Sequence, residues 1–135
     1  MRRNLRGLAA VLVGLLFVAG CNKDNGEGKY VPAESNAREA LAAALSKWKD
    51  GEPRPGEFAV GNVKVQALDK NWSDGVKLQS FEIVGEEKPA TEPGPRVFAV
   101  RLKTSKGEQT GKYYVFGKDP LWVCDEPSYK QMTGS

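Results

Sequence analysis

The chain has no histidine, which removes Ser/His/Asp triads, Cys/His dyads, His-based zinc sites and zincin motifs at once. What could still do chemistry is a small set of carboxylates, two cysteines and a few glycine-bearing turns. Asp69 and Asp74 flank the stretch Asn71-Trp72-Ser73, and Asp119, Asp125 and Glu126 lie around the last apolar run. Paired carboxylates can serve acid/base steps or hold a hard cation. Neither group has the dense alternating oxygen series of a calcium loop, so no metal or catalytic residue is assigned to them. Asn71-Trp72-Ser73 also fits a glycosylation sequon but reads as a turn. The string from Gly107 to Tyr113 has a phosphate-loop look and fails as one. Its spacer before Gly111-Lys112 is a residue short, Tyr113 stands where Ser or Thr must hold magnesium, and the segment joins two strands.

The cysteines, Cys21 and Cys124, differ in setting. Cys124 ends the apolar run Leu121-Trp122-Val123, which predicts a buried strand and an inert thiol. A nucleophilic Cys124 would need a base that the sequence does not supply, and Asp125 and Glu126 beside it would raise its pKa. Cys21 instead closes the N-terminal stretch. Arg2, Arg3 and Arg6 form a basic region, Leu8 to Val18 is apolar, and small residues follow, the layout of an export signal. About a dozen apolar residues fall short of the roughly 20 that span a bilayer.

The ending Val18-Ala19-Gly20-Cys21 resembles the bacterial lipobox. That resemblance implies diacylglycerol on the Cys21 sulfur, cleavage before Cys21 and further acylation of the new amino group. Two or three acyl chains, at about 0.8 kcal/mol per buried methylene, hold a protein firmly where one does so only marginally. Residues 1–20 are thus expected to be a lipoprotein signal peptide. Arg2-Arg3 also resembles a twin-arginine signal, but Met1 replaces the Ser or Thr expected before the pair, and an ordinary basic region is favoured. In the sorting rule of the lipoprotein family, Asp after the lipidated Cys retains the protein in the inner membrane, so Asn22 leans towards the outer one. The expected setting is the cell envelope, with the membrane as partner through the lipid on Cys21.

Processing changes the charge. Loss of Arg2, Arg3 and Arg6 takes the basic count from 20 to 17, level with the 17 acidic side chains. Nucleic acid is excluded as a partner, since no basic field remains for phosphates. With Cys21 acylated, Cys124 has no intramolecular disulfide partner.

Behind Cys21, residues 21–32 read as a flexible tether, polar and Gly-bearing. Residues 33–126 read as one α+β domain and 127–135 as a C-terminal tail. Asn36 to Asp50 predicts a helix. Ala37, Leu41, Ala44, Leu45 and Trp48 share a face, Asn36 and Glu39 form a capping box, and Lys47 and Lys49 precede Gly51. Pro53 and Pro55 then make a loop. Alternation predicts strands at Val63 to Ala67, Val76 to Val84 with a slip near Ser80, Val97 to Lys103, Lys112 to Phe116 and Leu121 to Asp125. Glu86 to Pro95 is a long connection. The expected fold is one N-terminal helix packed on a curved antiparallel sheet of four to five strands.

That order of elements resembles the cystatin-like and NTF2-like folds. The nearest string to a cystatin inhibitory loop, Phe58-Ala59-Val60-Gly61, lacks its Gln and its spacing, so inhibition is not implied. The stretch from Asp69 to Leu78 resembles small exported lipoproteins of unknown function. Trp48, Trp72, Tyr113, Tyr114, Phe116 and Trp122 either fill the core, the favoured reading, or line a pocket as in the NTF2-like cone. Tyr113 and Tyr114 are adjacent, so only one can face inwards from a strand. The leading expectation is a non-catalytic domain that binds a protein, peptide or envelope component, with no cofactor. The competing one is a small-ligand or enzymatic domain with a pocket between helix and sheet.

Overall fold

The structure, a computed structural model, describes residues 31–88 and 94–134. The export signal, Cys21, the tether up to residue 30, and residues 89–93 of the long connection lie outside the described residues.

Helix α1, Glu34–Lys49, forms on an Ala-rich sequence and buries Ala37, Ala40, Leu41, Ala44, Leu45 and Trp48, one stripe at helical spacing. It begins two residues before the expected capping box, with Ala33 in the cap position and no side-chain cap. Tertiary contact sets the start instead: Arg96 donates from Nε to the Pro32 carbonyl at 2.6 Å, and Glu34 pairs with Arg38 at 2.9 Å. The other end is a Schellman closure. Glu52 N–H reaches the Lys47 carbonyl and Gly51 N–H the Trp48 carbonyl, with Gly51 at φ +103°.

Among the described residues six strands form one sheet. They are β1 (Glu57–Val60), β2 (Val63–Leu68), β3 (Leu78–Glu87), β4 (Arg96–Thr104), β5 (Gly107–Gly117) and β6 (Leu121–Asp125), in the order β1-β2-β6-β5-β4-β3. The fold is α+β, as the sequence predicts, but the sheet differs from the expectation in two ways. It has a sixth strand, β1, whose four residues sit between a Pro-rich loop and the Gly61 turn and offer too little alternation to read. It is also mixed: β2 pairs with β6 in parallel, whereas every other neighbour is antiparallel. The chain leaves β2, builds β3 to β5, and returns with β6 between β5 and β2, a closure that local pattern cannot report. The slip expected near Ser80 is a bulge between Leu78 and Ser80, and a second lies between Ile83 and Gly85.

Two further helices were not expected. Residues 70–73, where Asn71-Trp72-Ser73 reads as a turn, form the single helical turn α2 (Lys70–Ser73), capped by Asp69. Most of the expected C-terminal tail forms α3 (Glu126–Thr133), capped by Asp125, with Pro127 in its first turn and Gly134 at φ +76° after its end.

The main core lies between α1 and the inner sheet face, where Leu41, Leu45, Val65, Phe98, Val100, Val115 and Val123 are fully buried. Trp48 stacks on Trp72 from α2, with centroids 5.8 Å apart and planes 11° off parallel. Both indole N–H groups are satisfied, Trp48 on the Val76 carbonyl at 2.8 Å and Trp72 on the Glu52 carbonyl at 2.7 Å. Of the tyrosine pair, Tyr113 is buried inward and Tyr114 is half-buried on the outer face.

Gly117 ends β5 at φ +92°, and a Cβ there would stand 2.8 Å from the Pro120 carbonyl oxygen and 3.1 Å from Trp122 Cδ1. Gly107, at φ +116°, has nothing within 4 Å of its Cβ position. Gly107→Ala should cost about 1–2 kcal/mol for the left-handed backbone alone, and Gly117→Ala a further ~1–3 kcal/mol for overlap. Urea unfolding of both variants checks this, and equal losses would refute the role given to the close approach.

Candidate functional site

Parallel register sets Leu68 beside Cys124, so the next residues, Asp69 and Asp125, leave the sheet side by side. Each caps the helix that follows it. Asp69 Oδ1 accepts from Trp72 N–H at 3.2 Å, and Asp125 Oδ1 accepts from Ser128 N–H at 3.1 Å. The two caps are also cross-linked. Asp125 Oδ2 accepts from Lys70 N–H at 2.9 Å, and the Tyr113 hydroxyl donates to Asp69 Oδ2. Asp69 and Asp125 are 4 % and 8 % exposed; every donor named here is a neutral hydroxyl or amide.

Burial pushes the Asp69 carboxyl up to about 6, the Asp125 charge adds to the rise, and the bonds from Tyr113, Trp72 and Asn71 oppose it. Burial, followed by the charge on Asp69, holds the Tyr113 hydroxyl well above its ordinary value. The Cys124 thiol is pushed up to about 12, by burial first and then by Asp125 and Asp69. It is fully buried, as the sequence predicts, and the raised pKa keeps it a thiol at neutral pH.

The carboxylates singled out in the sequence are therefore regrouped. Asp74 is exposed and pairs with Lys70 at 3.1 Å, away from Asp69's buried partners. Asp119 precedes the start of β6 while Asp125 ends it, so those two do not meet. Glu126 pairs with Lys130 at 3.6 Å on α3. Among the described residues no three Cys, Asp or Glu side chains gather as a metal site. The pairing of Asp69 with Asp125 was not foreseen; each begins a local cap signal, Asp125-Glu126-Pro127-Ser128 most clearly.

A cleft of about 420 Å³ opens between α2 and α3. Asp69, Ser73, Ser128 and Gln131 give it polar groups, and Leu68, Pro127 and Met132 an apolar wall. It does not lie between α1 and the sheet, where the competing expectation places a pocket; that interface is packed by the core residues named above.

On the outer face α3 lies over β5 and β6. Tyr129 stacks flat on Tyr114, with centroids 4.2 Å apart, and meets Phe116 edge-on at 5.5 Å. Phe116 stacks in turn with Trp122 at 6.4 Å. Cys124 lies in this layer, since its cross-strand partner is Tyr114. Phe116 and Trp122 remain half-buried, so the layer continues into a partly open aromatic patch. Further along the same face, Glu82 pairs with Arg101 at 2.7 Å and Glu87 with Lys112 at 3.6 Å, a solvated charged surface.

Comparison with protein-family models, with curated proteins and with solved structures finds no match to this chain.

The raised carboxyl of Asp69 fixes a sign for stability. Its folded pKa of about 6 lies above the ordinary value of 3.8, so the folded state binds the extra proton and gains stability as pH falls from above 6 towards 4. The gain is about 3 kcal/mol at most. Relative to Asp69→Asn, whose amide can still cap α2 and bond Tyr113, the wild type should gain stability between pH 8 and pH 5 in urea titrations. A constant difference across that range would contradict the assignment.

Proposed function

We propose that this chain is a lipid-anchored protein of the cell envelope whose domain is a non-catalytic binding module for a protein, peptide or envelope component. The observation that carries the anchor is Val18-Ala19-Gly20-Cys21 directly behind a short apolar run. Among the described residues no helix is long and apolar enough to cross a membrane, and the acyl chains on Cys21 supply the attachment.

The binding reading is supported by how the reactive side chains are spent. Asp69, Asp125 and Tyr113 hold helix starts together, and Cys124 is sealed beneath α3. The half-open Phe116 and Trp122 patch is the surface best fitted to recognition, because aromatic side chains offer large contact area at low entropic cost. The sheet edges suit it less: β1 is four residues long and β3 is broken by two bulges.

A second reading rests on the cleft between α2 and α3. Its size falls in the range of small-ligand sites, roughly 300–1,000 Å³, and it combines an apolar wall with polar groups.

Cys21→Ser should abolish palmitate incorporation and leave the precursor uncleaved, as seen by metabolic labelling and by mass on a gel. Unchanged labelling would overturn the anchor.

A further inference from the structure

The two ends of the sheet differ in what they show to solvent. Pro32, through which the chain enters α1, is held by the Arg96 guanidinium at 2.6 Å, and Arg96 is fixed in turn by Glu86 at 2.7 Å. The entry point therefore sits at the start of β4. Register places the rest of this end. Arg96 pairs with Val115, the next residue of β5, Phe116, pairs with Trp122, and β2 begins at Val63, just short of the Val65 that lies beside Leu121. Two strand spacings, about 10 Å, separate β4 from β6.

Apolar surface is open at this end. Val63 is 39 % exposed at the tip of β2, and the stacked rings of Phe116 and Trp122 are half-buried on the outer face. Lys64 and Gln66 alternate with buried Val65 and so share the face of Trp122. Lys118 and Asp119, in the turn between β5 and β6, bring charges of both signs. The opposite end, where β4 turns into β5, exposes Lys103, Ser105, Lys106 and Glu108 instead. A partly open aromatic pair, an apolar tip and a lysine with a long apolar stem suit the level of lipid headgroups, where Trp is enriched and Lys reaches outwards to the phosphates.

The chain outside the described residues limits what this end can meet. From Cys21 to Pro32 it reaches no further than about 40 Å, however it runs. With acyl chains on Cys21, Pro32 is the point of attachment, and the end around it is the part of the domain held nearest the bilayer. A surface too weak to bind alone then meets the membrane at high local concentration. We infer that this end of the sheet, with Val63, Lys64, Phe116 and Trp122, seats on the headgroup region of the membrane that holds the lipid. The bilayer surface is thus the partner of the Phe116 and Trp122 patch. The inference rests on the anchor reading above and narrows the envelope component to lipid. Such seating scales with the apolar area inserted and with attraction to anionic headgroups. It also orients the domain, so that the cleft at the carboxyl ends of β2 and β6 faces away from the bilayer.

The tryptophans report on both ends. Trp122 lies at the entry end, whereas Trp48, in the last turn of α1, stands about 20 Å along the helix from its start and stacks on Trp72. The protein, expressed as the full chain and purified from bacterial membranes, is weighed to establish lipid on Cys21. It is then reconstituted in vesicles of phosphatidylethanolamine and phosphatidylglycerol, with or without lipid brominated near the headgroup end of its acyl chains. Bromine should quench the Trp122 share of the fluorescence, the difference between wild type and Trp122→Phe, by about twofold or more, and leave the Trp48 and Trp72 share nearly unchanged. Val63→Asp with Lys64→Glu, both at exposed positions, should relieve that quenching while Cys21 stays lipidated, and serves if Trp122→Phe fails to fold. Protein without lipid on Cys21 overturns the anchor and this inference with it. Lipidated protein whose Trp122 stays unquenched, or whose tryptophans are all quenched alike, keeps the anchor and overturns the inference, leaving the patch to a protein or peptide. Quenching that falls as protein is packed more densely in the vesicles overturns it in favour of a second copy.

Discussion

The parallel pairing of β2 with β6 is the constraint on which the rest of the domain depends. It places the ends of two strands at one level, so the chain leaves the sheet twice at the same point through an aspartate. The side-by-side burial of Asp69 and Asp125 is unfavourable in itself, and the raised carboxyl of Asp69 expresses that cost. Donors on both sides offset it, backbone N–H groups at the helix starts and the Tyr113 hydroxyl. These same bonds aim α2, which brings Trp72 to Trp48 on the inner face, and α3, which brings Tyr129 to Tyr114 on the outer face. One polar knot thus organises packing on both sides of the sheet.

The two faces are built differently. The inner face, aliphatic residues with Phe98 and Tyr113 among them, packs on α1 in one continuous core, and a void there would be costly. The outer face has a small aromatic layer beside a field of cross-strand ion pairs. Each exposed pair contributes at most about 1 kcal/mol, so the pairs matter chiefly in keeping that half of the face wet. The contrast between wet and dry halves makes the strip under α3 a distinct surface instead of an extension of the core.

Much of the fold was legible because local pattern carries it. The Ala and Leu stripe of α1, the alternation of five strands, the opposite facing of Tyr113 and Tyr114, and the burial of Cys124 follow from period and composition. The missed parts have physical reasons. Arg96 reaching Pro32 overrode the Asn36 and Glu39 cap, since a tertiary bond can start a helix where the local signal is second best. The strand β1 was too short to show a period. Most importantly, the neighbours of β6 were invisible because its partner β2 lies more than fifty residues away. The carboxylate pair follows from that closure, so proximity in sequence led instead to the groupings of Asp69 with Asp74 and of Asp119 with Asp125.

The bulges in β3 have a consequence for colloidal behaviour. They interrupt the long free edge of the sheet at Leu78/Ser80 and at Ile83/Gly85, and Glu82, Glu86 and Glu87 line the same strand. A lipid anchor would confine many copies to a plane, where lateral encounters are frequent and orientation is restricted. In that setting an unbroken edge would seed sheet-to-sheet growth between neighbours. The kinked edge, with its glutamates held in cross-strand ion pairs, denies a second chain a straight template, so crowding in two dimensions would leave the copies dispersed.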